Sequence, residues 1–202
     1  MPLGTEAGSA LAYWKAVATL PVDRVGALAQ LEACFACAGA PGPLNGPYEG
    51  RFLTTTVGGR ADRVISAVAT LWMPWRGKTF DGVVGQGRNR FSGSAVPVMR
   101  LFFPGYQGVA GDRAGETTAF RFLTSFGPSK LRRAVRVMRI DYDLPDNPAW
   151  PVRRVFDELV TVDEGVFLGQ ALVHRSGRWG RAAWFSLHTP SSIRGASVRS
   201  RS

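Results

Sequence analysis

The chain is predicted to be α+β, an N-terminal helical hairpin packed beside an antiparallel β-barrel. Three observations predict it. Residues 9 to 38 carry apolar side chains at helical spacing. From Tyr48 to about Leu187, short segments alternate apolar and polar residues. With 24 Gly and 13 Pro in 202 residues, the chain suits many short strands joined by turns, and it is long enough for one domain with a proper core.

The helical part comes first. Residues 1–8 are expected to be a flexible N-terminus. Leu11, Tyr13, Trp14, Val17 and Leu20 form one apolar stripe, and Pro21 interrupts it. Asp23 is placed to cap a second helix carrying Val25, Leu28, Leu31 and Phe35. "CFAC", Cys34 to Cys37, closes that segment. With no second pair to complete a zinc site, both cysteines read as small buried residues on a helix face. "GAPGPLNGP" then ends the hairpin at residue 38 and leads to a barrel domain over 46–189.

Within the barrel region, "ADRVISAVATLW" (Ala61 to Trp72) reads as a helix. "TTAFRFLTSF" places Phe120, Phe122 and Phe126 on one strand face and Arg121 on the other. "VRVMRIDYD" sets Met138, Ile140 and Tyr142 against Arg139, Asp141 and Asp143. "VRRVFDELVTV" puts Phe156, Val160 and Val162 on one face with Glu158 among them, and Arg153, Val155, Asp157 and Leu159 on the other. "RSGRWG" joins two strands as a hairpin. Two-faced strands with short turns pair antiparallel, and roughly eight of them close a barrel able to hold one small ligand. Residues 190–202, rich in Ser and Arg, are expected to be a disordered tail.

Composition narrows the partners. The net charge of +10 comes from 25 basic residues, of which only Lys15, Lys78 and Lys130 are lysines. The arginines are spread along the chain rather than gathered in a stripe with interleaved aromatics, so nucleic acid is not expected as a partner. No apolar run reaches the roughly 20 residues of a membrane span. The N-terminus lacks a signal-peptide pattern, and the expected location is cytoplasmic. No cofactor or metal site is expected.

Candidate site residues come from four stretches. In "MPWRGKTF", Lys78 shares a strand face with Phe80, beside Trp75. Pointing inward, Lys78 would lose hydration and act as a base, form a Schiff base or pair with an anionic ligand; otherwise it snorkels from a strand end. In "IDYDLPDNP", Asp141 and Asp143 lie about 7 Å apart on one face, as a carboxylate pair or as salt-bridge partners for arginines. In "RRVFDELV", Arg154 and Glu158 share a face, either as an inward charged pair or as an exposed cross-strand pair. "GVVGQGRNR" lacks the spacing of a dinucleotide loop and reads as a glycine-rich hairpin turn, with Arg88 and Asn89 in reach of a ligand at a barrel end. His188 follows Ser186 without a nucleophile elbow, so hydrolase chemistry has little support. The expected catalytic group is Lys78, Glu158 and Asp141. The expected ligand contacts are Tyr48, Trp75, Arg88, Asn89, Phe122, Tyr142, Arg154 and Trp184.

"GPYEGRF" at Gly46 to Phe52 resembles the G-x-W-x-G signature of the GXWXG domain family, with Tyr48 where the family has Trp. "WRGKTF", "IDYDLPDNP", "FDELVTVDEG" and "FLGQ" are similar to the motifs that follow in that family and its partner domain of unknown function. The match is a set of short motifs from Gly46 to about Gln170. The resemblance implies a small calycin-like barrel and no established reaction.

The leading functional expectation is binding or handling of a small apolar or amphipathic molecule inside the barrel, one bearing a carbonyl or carboxylate if Lys78 meets it. The alternatives are a cofactor-independent cyclase, isomerase or lyase using the same cavity, and a protein-interaction module using the helical hairpin. Whether the chain is an enzyme stays open at this point. A hollow barrel favours the first two readings and a filled one favours the third.

Overall fold

The computed structural model describes residues 3–56, 74–106, 109–110 and 115–190. The helix expected over Ala61 to Trp72 and almost all of the expected tail lie outside them. Helix α1 spans Leu3–Thr19 and α2 spans Arg24–Cys37. Asp23 caps α2 by accepting a bond from the Gly26 N–H at 2.9 Å. Helix α1 thus begins well before residue 9, where the sequence placed its start.

The strands are β1 (Gly46–Thr55), β2 (Trp75–Asp81), β3 (Gln86–Ser92), β4 (Val109–Ala110), β5 (Glu116–Pro128), β6 (Arg136–Asp141), β7 (Val155–Asp163), β8 (Val166–Arg175) and β9 (Arg178–His188). A short helix α3, Ala95–Phe102, follows β3, and a single 3₁₀ turn, Val152–Arg154, precedes β7. All pairings are antiparallel, in the order β3-β2-β1-β9-β8-β7-β6-β5, and β5 pairs back onto β3. Eight strands therefore close a barrel, with β4 as a two-residue addition on β5. The two segments around Phe122 and Ile140 pair as expected, Leu123 opposite Asp141 and Phe126 opposite Met138. Phe126 itself is exposed near the end of β5, whereas Phe120 and Phe122 are interior.

Both hairpin turns expected from glycine are present. β8 and β9 join through Ser176 and Gly177, both at positive φ (47° and 78°), the two-residue turn whose twist suits a hairpin. β2 and β3 join through Gly82 to Gly85.

Two cores share the barrel wall. The interior is rich in aromatic rings, among them Tyr48, Phe80, Phe91, Phe120, Phe122 and Phe185. Outside, Tyr13, Leu31, Cys34 and Phe35 of the helices pack on Val137, Val160, Val162, Leu168 and Trp184 of the strands. Each such buried side chain contributes about 1.5–3 kcal/mol, which holds the hairpin to the barrel. The helix cover buries β7, β8 and most of β9 on both faces. Of the two cysteines only Cys34 is buried; Cys37, the last residue of α2, is exposed, so the expected burial holds for one of the pair.

Candidate functional site

The site starts from a kink in β2. Trp75 and Lys78 are three residues apart, so strict alternation would aim them at opposite faces. The register slips between Trp75 and Gly77, and both side chains turn inward. Gly77 makes this possible. It sits at φ +137°, and a Cβ there would collide with the Tyr48 carbonyl oxygen and lie 2.7 Å from the Gly50 nitrogen. A second slip, between Arg88 and Asn89, leaves Phe120 unpaired at φ 54° and swings its ring into the interior.

Lys78 is only 2% exposed. Its ammonium donates to Asn89 Oδ1 at 2.8 Å, to Asp157 Oδ2 at 2.9 Å and to the Tyr142 hydroxyl. Tyr142 in turn donates to Asp157 Oδ2 at 2.9 Å, and Trp75 Nε1 donates to Asn89 Oδ1 at 3.1 Å. The rings of Trp75, Phe122, Tyr142 and Phe185 surround Nζ at 5.2 to 5.5 Å. Burial pulls the Lys78 ammonium below the ordinary lysine value, against the opposing charge and hydrogen bond of Asp157. Burial, and then the charge of Asp157, push the Tyr142 phenol well above its ordinary value.

This cluster forms one wall of a cavity of about 60 Å³. Phe91, Phe120 and Phe185 supply apolar walls, and Pro151 and Val152 of the turn before β7, with Val155 at the start of β7, complete them.

Of the eleven residues the sequence singled out, Lys78, Trp75, Asn89 and Tyr142 come together at this cavity. Phe122 packs beneath Lys78 and edge-on to Tyr142. Tyr48 is interior but lies against Phe80 and Phe167, away from the cavity lining. The other five are elsewhere. Trp184 is not inside the barrel; it faces the helices, edge-on to Phe35, because β9 alternates Ala183, Phe185 and Leu187 inward. Glu158 is fully buried but on the outer wall, where it accepts from Ser129 Oγ (2.6 Å), the Lys130 N–H (2.6 Å) and Gln170 Nε2 (2.7 Å). Asp141 is exposed and accepts from the Asp143 N–H. Arg88 is half-buried outside the cavity lining. Arg154 is exposed on the 3₁₀ turn and borders an outer cleft with Lys130, Phe156, His174 and Trp179. Arg154 and Glu158 therefore do not form an inward pair.

The partner of Lys78 is Asp157, which the sequence reading set on the same face as Leu159 without assigning it a role. Its signal was present but divided. Both faces of β7 are apolar, since one meets the interior and the other the helices, so alternation alone cannot say which is inside.

No family model matches the chain, so the resemblance to the GXWXG domain stays a likeness of short motifs. No curated protein matches it either. Among solved structures it is similar to the crystal structure of a protein from Thermomonospora curvata, at 15% identity over 88% of this chain and 97% of that one, with a TM-score of 0.46.

Proposed function

We propose that the barrel binds a small, largely apolar molecule at the Lys78–Asp157–Tyr142–Asn89 cluster. The observation that carries this is a buried ion pair opening on a cavity whose other walls are largely apolar. Packing does not require that pair. Taking two charges out of water costs several kcal/mol per ion, and apolar side chains of similar volume are often as stable or more so. A polar cluster kept among aromatic rings suits a site that orients a ligand. The cavity volume sets the size. Since a water needs about 10–15 Å³ by this measure, the room fits a ring-sized group rather than a long acyl chain.

The runner-up is a cofactor-independent enzyme using the same cavity. Its support is the Tyr142 hydroxyl, which bridges Lys78 and Asp157 and so links an acid to a base through one proton-carrying group. The interaction-module reading has less support, because Tyr13, Leu31 and Phe35 of the helices' apolar stripe are occupied by the barrel wall, though Leu11 and Val25 of that stripe are exposed.

Toluene uptake, followed by saturation-transfer NMR on the purified protein, tests the binding reading. Uptake should be seen with the native chain and lost in Val155→Trp, which fills the cavity from its rim while far-UV dichroism and melting temperature stay unchanged. A folded native protein that takes up no toluene would overturn the proposal.

A further inference from the structure

The protons of the cluster can be followed one by one. Lys78 has three, directed at Asn89 Oδ1, Tyr142 and Asp157 Oδ2. Tyr142 has one, 2.9 Å from Asp157 Oδ2, with Asn89 Oδ1 a more distant alternative at 3.4 Å. Asn89 Nδ2 reaches the Tyr142 oxygen at 3.2 Å and the Phe120 carbonyl at 3.4 Å. Trp75 Nε1 is directed at Asn89 Oδ1. Every donor in the cluster is already committed.

The acceptors are not. Both hydrogen bonds to Asp157 end on Oδ2, and Oδ1 accepts none from any described residue. Asp157 is buried, only 4% exposed, and lines the cavity. Because Asp157 lines the cavity, a carboxylate oxygen left without a protein donor there can take one from whatever fills the space.

We infer that the molecule taken by this cavity presents a hydrogen-bond donor, a hydroxyl or an N–H, to Asp157 Oδ1, with its apolar body against Phe91, Phe120 and Phe185. This rests on the binding reading above and makes its ligand class specific. It differs from the carbonyl or carboxylate suggested by a lysine in the sequence. Asp157 neutralises that lysine, so a carbonyl would have to break a hydrogen bond already made. A carboxylate would also meet the charge of Asp157. A hydroxyl or N–H displaces nothing and gains a charge-assisted bond.

The experiment compares phenol, anisole, benzaldehyde and benzoate, titrated by NMR at pH 7 against the full chain, with toluene as the reference. Phenol should bind at least about tenfold more tightly than anisole, since a hydrogen bond to a charged group is worth at least that factor. Benzaldehyde should match anisole, and benzoate should be weakest. Asp157→Asn keeps the shape and the acceptor for Lys78 while presenting an amide N–H to the cavity, so in a folded variant the preference should turn from phenol toward benzaldehyde. Toluene binding with phenol and anisole equal in the native protein would overturn the donor inference and leave the binding reading standing. Benzaldehyde or benzoate binding more tightly than phenol would overturn it too. Failure of all five compounds would remove both.

Discussion

Asp157 and Glu158 are adjacent in the chain and serve opposite sides of one wall. Asp157 holds Lys78 inside the barrel at 2.9 Å, while Glu158 accepts three hydrogen bonds beneath the helices. The network around Glu158 continues outward. Gln170 Oε1 accepts from Arg181 Nε at 2.6 Å, and Arg181 pairs with Glu32 of α2, which Arg132 also reaches at 2.6 Å. A single strand thus carries the site's carboxylate and the tie that fastens the hairpin over it.

The first prediction concerns the inner pair. Asp157→Ala strands the Lys78 ammonium in a buried site and should lower stability by about 3–5 kcal/mol. The double variant Lys78→Met with Asp157→Leu removes both charges and should recover most of that loss. Urea unfolding of the two proteins provides the measurement. Equal stability of single and double variants would show that the pair is not coupled as described.

The second concerns the outer carboxylate. Glu158→Ala leaves Ser129, the Lys130 N–H and Gln170 without their acceptor, and a loss of about 2–4 kcal/mol is expected from buried groups left unsatisfied. Toluene affinity should stay within about twofold of the native value, because Glu158 does not touch the cavity. A folded Glu158→Ala protein with toluene affinity reduced tenfold would place this carboxylate in the site after all.

The third concerns acid. His188 is buried, with its Nε2 2.9 Å from Ser186 Oγ and its ring against Trp14, and burial, aided by Arg51, lowers its pKa to about 4. Between pH 6.5 and 4 the unfolded chain therefore binds a proton that the folded chain refuses. The resulting stabilisation is complete above pH 6.5 and lost as pH falls toward 4, amounting to roughly 3 kcal/mol. Unfolding midpoints from pH 7 to 4 should show that slope in the native protein and a shallower one in His188→Gln. An identical acid slope in both would assign the effect to other groups.

Much of this was legible in the residues. Helical spacing up to Phe35, the alternation of Met138, Ile140 and Tyr142, and the "RSGRWG" turn each fix a local geometry, and local geometry is what sequence periods encode. Lys78 facing inward with Phe80 follows from the same rule. Asp157 and Trp184 did not follow, for one physical reason. Where helices cover a barrel, a strand has two apolar faces, and the pattern no longer marks an outside. Gly77 was readable as a point of close approach, but the slip that turns Trp75 and Lys78 to the same side depends on β1 and β3 together. The tenancy of Asp157 Oδ2 by two donors is likewise a tertiary fact, made by strands far apart in the chain.

Closure of the ring also bears on how the protein meets copies of itself. Each of the eight strands is hydrogen-bonded on both sides, from β3 round to β5 and back. An open sheet ends in a row of free amides on which another chain can lay a strand, the first step toward cross-β assembly. Among the described strands that row is taken up within the ring itself, so strand-by-strand growth between molecules would require the ring to be broken first.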